Sequence, residues 1–476
     1  MFTSSFRFTA RVFTLSFLAV PLSILLSSWA GFKPGNSFVA KTSVHSISFN
    51  NKQYIYNAAT GYLPIKNGNK LAAKIFYSAY TLNSQANRPV TFVFNGGPGS
   101  ASIWLHMGAL APVRVKSGNA AYSNNPQTWL GFTDLVFIDP VGTGYSRAAE
   151  GVNENQFFGF NEDVNAIANF VDQYLKGTNR GQSDIYLAGE SYGGARAVGL
   201  AAELQNNYKI KVTGLTLISP ALNYQSLSFK AGKDDAYPLY LPTYAMIAQY
   251  HNRLTPKLQA LSPQALASKA KAFANGTYLD LLNGDTTALA HTLDTLSYFT
   301  GIDKTWLKQH NGRITDHEFA RLVLNEGGSK TGIFDARVAG TDKKGDPSEA
   351  ALRTIYPKAL TRYFKTELKY VNELPYRATI SVADWNFGSK KPDYYLNVVP
   401  TLKQLIQGNA ALKVHVVGGY YDLATPVETI KQAVADAGGA QISSNYYYAG
   451  HMIYTDDKVN ALFYADSKTF YANRKN

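Results

Sequence analysis

One pentapeptide constrains this chain more than any other feature: Gly189-Glu190-Ser191-Tyr192-Gly193, set directly after the apolar run Ile185-Tyr186-Leu187-Ala188 and before the helix-like stretch Ala195 to Leu204. A turn that passes from a buried strand straight into a helix needs small residues on either side. It lifts the Ser191 hydroxyl clear of the sheet and aims the N-terminus of the following helix at it. The pentapeptide therefore predicts both a strand-turn-helix unit and a serine nucleophile; without its context it would read as an ordinary turn.

Other apolar runs place that unit in a sheet. Ser43 to Phe49 and Leu71 to Tyr80 are β-rich. Val90 to Phe94, Leu135 to Ile138 and Leu215 to Ile218 are short continuous apolar runs, as strands covered on both faces require. Helical spacing of Val164, Ile167, Ala168, Val171 and Leu175 falls between two of them. From about Ala221 to Arg377 the rhythm becomes helical, around Tyr244 to Tyr250, Pro263 to Phe273 and Glu318 to Leu324. Strand and helix then alternate again, with Val414 to Val417, Val427 to Ala437 and Asn445 to Tyr448. The pattern predicts an α/β fold with a mostly parallel central sheet and a helical insertion. The divisions expected are a leader over 1–30, a first part of the core over 31–220, a helical cap over 221–377 and a second part of the core over 378–476.

A nucleophilic serine needs a base, and the base an orienting carboxylate, following it along the chain in the order acid, then histidine. Of the six histidines after Ser191, four (His251, His291, His310, His317) fall in the helical insertion. His415 lies inside an apolar strand, where a core role is expected. His451 follows the last strand and the flexible Ala449-Gly450, which is where the base belongs. Asp422 follows Val414 to Val417 and Gly418-Gly419 and precedes Pro426 and a helix, a position that suits the acid and equally suits a turn or helix-capping residue. Asn95-Gly96-Gly97-Pro98-Gly99, after Val90 to Phe94, exposes backbone amides. With the amides of Gly97 and Tyr192 it offers an oxyanion hole, and it lacks the Lys-Ser/Thr ending of a phosphate loop.

Four motifs in order, Asn95 to Ser100, Asp139-Pro140-Val141-Gly142-Thr143-Gly144-Tyr145-Ser146, Gly189 to Gly194 and Gly450-His451-Met452, resemble the serine carboxypeptidases. The resemblance implies an α/β-hydrolase fold and the triad Ser191, Asp422 and His451. It also implies that Asn95 and Glu190 hold the substrate's terminal carboxylate. In that family a second glutamate partners the first, and Ala109 occupies its place here, while Val93 replaces an aromatic residue. Glu190 is then expected to titrate lower than in the family, since the partner acid that would raise its pKa is missing.

The expected function is release of C-terminal residues from peptides through an acyl-enzyme on Ser191, with no cofactor or metal. The alternatives are an esterase, an acyltransferase or another serine hydrolase on the same fold, and an inactive binding protein. The chain has no cysteine, which excludes disulfides, thiol catalysis and Cys-based metal sites. Its net charge of +13 is scattered in single residues and pairs, which argues for a solvated surface rather than a nucleic-acid partner. Arg7 and Arg11, the apolar stretch Val12 to Leu26 and Ser28-Trp29-Ala30 read as a secretory signal peptide. Export to a periplasm or the medium is the expectation, without stable membrane insertion after cleavage.

Overall fold

The computed structural model describes residues 39–49, 52–82, 88–115, 120–230, 232–324, 327–341, 345–389, 391 and 394–473. The expected leader over 1–30 lies outside the described residues. A ten-stranded sheet organises the rest. Its strands are β1 (Val39–Phe49), β2 (Lys52–Asn67), β3 (Lys70–Leu82), β4 (Val90–Phe94), β5 (Asp134–Ile138), β6 (Ile185–Glu190), β7 (Gly214–Ile218), β8 (Lys413–Gly419) and β9 (Ile442–Tyr447), with the short Arg147–Ala148 beside β3. Across the sheet they run β1-β2-β3-β5-β4-β6-β7-β8-β9. The first three are antiparallel, β3 meets β5 antiparallel, and from β5 to β9 every pairing is parallel. This is the mostly parallel sheet of the α/β-hydrolase fold.

The apolar runs form strands because both faces of the sheet are covered. Successive residues alternate between two cores: Phe92 and Phe94 face one and Val93 the other, Leu215 and Leu217 one and Ile218 the other. The first core is closed by α1 (Phe160–Gly177), α2 (Tyr192–Asn207) and Val399–Gly408. The second is closed by Ile103 to Val115, the helix Leu352–Thr366 and the C-terminal helix Asp457–Ala472. A third cluster belongs to residues 236–336, with Tyr421 and Leu423 reaching into it from the loop after β8. Leu352–Thr366 lies within the segment 221–377 but packs Tyr356, Leu360 and Phe364 into the core of the sheet.

Two of the elements that periodicity does not predict carry residues that disguise them. β2 contains Gly61 and Pro64, both strand breakers by composition. Pro64 nevertheless keeps its place opposite Lys74 of β3, in a pairing that runs from Tyr56 with Leu82 to Asn67 with Lys70. The helix Leu352–Thr366 carries Pro357 in its second turn, which disguises it as a break.

Candidate active site

Four strands deliver the site at their carboxyl ends, the place where open parallel sheets bind ligands. Ser191 follows β6 with φ 61° and ψ −126°, a left-handed conformation that a non-glycine residue adopts only under constraint. The surroundings supply that constraint. The Ser191 amide donates to the Ile218 carbonyl at 2.9 Å, and its own carbonyl accepts from the amides of Gly194 (2.8 Å) and Ala221 (3.1 Å). The turn is tight enough that a Cβ on Gly193 would lie 2.9 Å from the Phe94 carbonyl oxygen, so the glycine admits the close approach of β4.

His451 sits on the loop after β9, and its Nδ1 lies 2.7 Å from Asp422 Oδ2. A carboxylate only accepts, so the proton resides on Nδ1 and Nε2 is left free to take one. Asp422 is fully buried and its two oxygens divide the work. Oδ1 accepts from the amides of Ala424 (2.8 Å) and Thr425 (3.0 Å), forming the turn that sequence also allowed, while Oδ2 serves the imidazole. The Thr425 hydroxyl stands 2.7 Å from that same Oδ2, 3.0 Å from the Ser219 carbonyl and 3.2 Å from Nδ1. The Ser219 hydroxyl donates to the His451 carbonyl at 2.7 Å. Burial opposes a charged imidazole. The Asp422 carboxylate outweighs it, with further help from Glu190 and Glu349, so the pKa of His451 stands above its ordinary value.

Asn95 continues from β4. Its Oδ1 accepts from the Leu105 amide at 3.1 Å, and its Nδ2 donates to Glu190 Oε1 at 2.9 Å. Its carbonyl is held by Arg196 Nη1 at 2.5 Å, while Arg196 Nε reaches Asp163 Oδ2 at 2.7 Å. Arg196 and Asp163 are both buried, and the Arg196 guanidinium lies over the rings of Phe94 and Tyr192. The carboxyl of Glu190 is pushed up to about 7. Burial is the main cause, since it disfavours the charged form with or without a second acid beside it.

One cavity of about 450 Å³ is lined by Asn95, Gly97, Glu190, Ser191 and His451. Asp422 lies behind His451. Tyr192 is completely buried, and its hydroxyl donates to Asp163 at 3.0 Å, so its ring faces away from the chemistry. Its amide stands at the first residue of α2, directly after Ser191. Gly97, with φ 101°, belongs to the glycine-rich turn that lines the same cavity. Glu349 and Arg353 also line the cavity, joined by a 2.6 Å ion pair. His415 faces Asn445 at 3.0 Å and is buried in the second core region, away from this cavity. Among the described residues, no cluster of three or more His, Asp or Glu side chains has metal-ligand geometry.

Sequence reasoning missed Thr425, Ser219, Arg196 and the Glu349–Arg353 pair. For Arg196 a signal was present, since it is a lone charge in the otherwise apolar and small stretch Gly193 to Ala201. The others are ordinary loop or helix residues whose place depends on folding.

A sequence profile described as serine carboxypeptidase matches residues 50–467. Among curated relatives, serine carboxypeptidase-like 36 of Arabidopsis thaliana is 28% identical over 47% of this chain and 46% of its own length. A carboxypeptidase Y homolog of Arthroderma benhamiae is 29% identical over 38% of this chain and 39% of its own. The matches thus span about half or less of these relatives. Among solved structures, a prohormone-processing carboxypeptidase from Saccharomyces cerevisiae superposes with a TM-score of 0.57 at 15% identity, covering 88% of this chain and 92% of the other. That likeness concerns the fold.

Proposed function

The chain belongs to the serine carboxypeptidase family, and from that premise we propose that it hydrolyses the C-terminal peptide bond of peptides through an acyl-enzyme on Ser191. The observation that carries the reading is one cavity shared by Ser191, His451 and the Asn95–Glu190 pair, with Asp422 bonded behind the base. In this mechanism the Ser191 hydroxyl attacks the scissile carbonyl and passes its proton to His451 Nε2. Asp422 holds the ring and stabilises the imidazolium. The amides of Gly97 and Tyr192 receive the oxyanion. His451 then protonates the leaving amine, and water repeats the sequence on the ester.

Asn95 and the protonated carboxyl of Glu190 accept the terminal carboxylate of the substrate. With its pKa raised to about 7, Glu190 keeps its proton below neutrality and avoids facing the substrate with a like charge. Export follows as part of the same proposal, supported by Arg7, Arg11, the apolar Val12 to Leu26 and Ser28-Trp29-Ala30. No helix among the described residues is long and apolar enough to cross a membrane.

The test uses a blocked dipeptide as free acid, amide and ester, from acid to neutral pH, with Ser191→Ala as the blank. Cleavage of the free acid in preference to the amide, abolished roughly 10⁴-fold or more in Ser191→Ala, is the expected result. Equal or better turnover of the amide or ester would leave a serine hydrolase and remove the carboxypeptidase assignment.

A further inference from the structure

Glu190 Oε1 has its partner in Asn95, yet Oε2 is buried and makes no hydrogen bond. A buried carboxyl oxygen without a partner costs free energy, which a neighbouring donor would offset. The hydroxyl of Tyr454, on the short helical turn Ile453–Thr455 three residues after His451, is likewise buried and without a hydrogen-bond partner. The two groups are polar neighbours, and each perturbs the titration of the other. The Tyr454 ring reaches this position over Gly108, where an added Cβ would lie 2.6 Å from its Cε2. Tyr454 is not among the residues that line the substrate cavity.

We propose that Tyr454 is the positioning residue for Glu190: the two unpaired atoms close on each other, the hydroxyl turning to donate to Oε2 while Asn95 donates to Oε1, and this fixes the plane of the carboxyl that meets the terminal carboxylate of the substrate. The inference rests on the carboxypeptidase reading for its meaning, though the contact itself can be measured without turnover. The other groups facing Glu190 are His451, Asp422 and Tyr356, which act on it through charge. Tyr454 itself has its pKa raised well above the ordinary tyrosine value, mainly by burial, so it remains a donor at every working pH. A phenol that donates to a carboxylate stabilises the ionised form, so its removal should raise the Glu190 pKa further.

The experiment titrates the ¹³C-labelled carboxyl of Glu190 by NMR, assigned by its loss in Glu190→Gln, in the parent and in Tyr454→Phe. An upward shift of the midpoint by about 0.5 to 1 pH unit in Tyr454→Phe is expected. With it, the alkaline limb of kcat/KM for free-acid peptides moves up by the same amount, and that for an ester stays in place. A merely structural role would lower both substrates alike without moving either limb. An unchanged or lowered Glu190 midpoint overturns the proposal. Should Tyr454→Phe not fold, ¹³Cζ-tyrosine labelling of the parent reads the same contact. The Tyr454 resonance should then move with the Glu190 midpoint and be still in Glu190→Gln, and a resonance that is still in the parent overturns the assignment. A shifted midpoint with no preference for free acids would remove the carboxypeptidase reading and leave the Tyr454–Glu190 contact standing.

Discussion

Replacing Arg196 by Met tests whether a buried charge pair holds the two halves of the site together. Arg196 is fully buried on α2, and Asp163 on α1 is nearly so. Their 2.7 Å ion pair, the 2.5 Å bond from Nη1 to the Asn95 carbonyl and the flanking rings of Phe94 and Tyr192 tie the nucleophile helix to the end of β4. Methionine preserves most of the volume but leaves the Asp163 carboxylate buried with, among the described residues, the Tyr192 hydroxyl as its remaining side-chain partner. Breaking a buried pair from one side costs about 3–5 kcal/mol. The loss of the bond to Asn95 is part of the same deletion and should not be added in full. Urea unfolding at neutral pH, compared with the parent, reads the difference. Because most of the cost comes from the stranded charge, Arg196→Met combined with Asp163→Asn should recover about 2 kcal/mol of it. A single variant within ~1 kcal/mol of the parent, or a double variant no better than the single one, would refute the reasoning.

Asp139 is buried, its Oδ1 accepting from the Ser102 amide at 2.9 Å and the Tyr376 hydroxyl at 3.3 Å, and burial raises its pKa from 3.8 to about 7. A carboxyl raised in the folded state stabilises most when protonated, so its contribution is greatest below about pH 4 and declines as pH rises towards 7. At ~1.4 kcal/mol per pH unit, that is about 4 kcal/mol in all. Urea midpoints of Asp139→Asn should therefore change less between pH 4 and 7 than those of the parent, and parallel curves would contradict this. Thr425→Val deletes the hydroxyl beside Asp422 Oδ2 and His451 Nδ1. A fall in kcat of about 10-fold with KM nearly unchanged is expected, from the loss of about 1–1.5 kcal/mol of hydrogen bonding; an unaltered kcat would exclude Thr425 from positioning the pair. Arg353→Ala leaves Glu349 without its ion-pair partner in the cavity, so the KM of peptides ending in Lys should fall relative to those ending in Glu, by up to about 5-fold for a pair whose arginine is half exposed. A preference that stays put would show that the pair faces no substrate side chain.

How much of this was legible beforehand depends on the range of the interaction concerned. The helix Val427–Ala437 and the strand Val90–Phe94 occupy the residues that periodicity assigns them, because each is governed by contacts repeated every two or 3.6 residues. β2 and Leu352–Thr366 escaped because Pro64 and Pro357 obey local rules that a long strand pairing and a packed helix override. In the site, Ser191 and the amides of Gly97 and Tyr192 belong to turns whose chemistry is local, so motifs of five or six residues mark them. Asp422 was ambiguous because a turn carboxylate and an orienting carboxylate look alike in sequence, and in the folded chain it makes both sets of contacts. Tyr454 against Glu190 and Glu349 at the cavity wall leave no such mark, and Arg196 beneath Asn95 shows in sequence only as a lone charge, without its partners. Each acts across a separation of many residues, through burial and distance that exist only once the strands are side by side. The raised pKa of Glu190 has the same origin. Composition shows a glutamate without an acidic neighbour, but desolvation depends on what the whole chain packs around it, and that was decided by the tertiary structure alone.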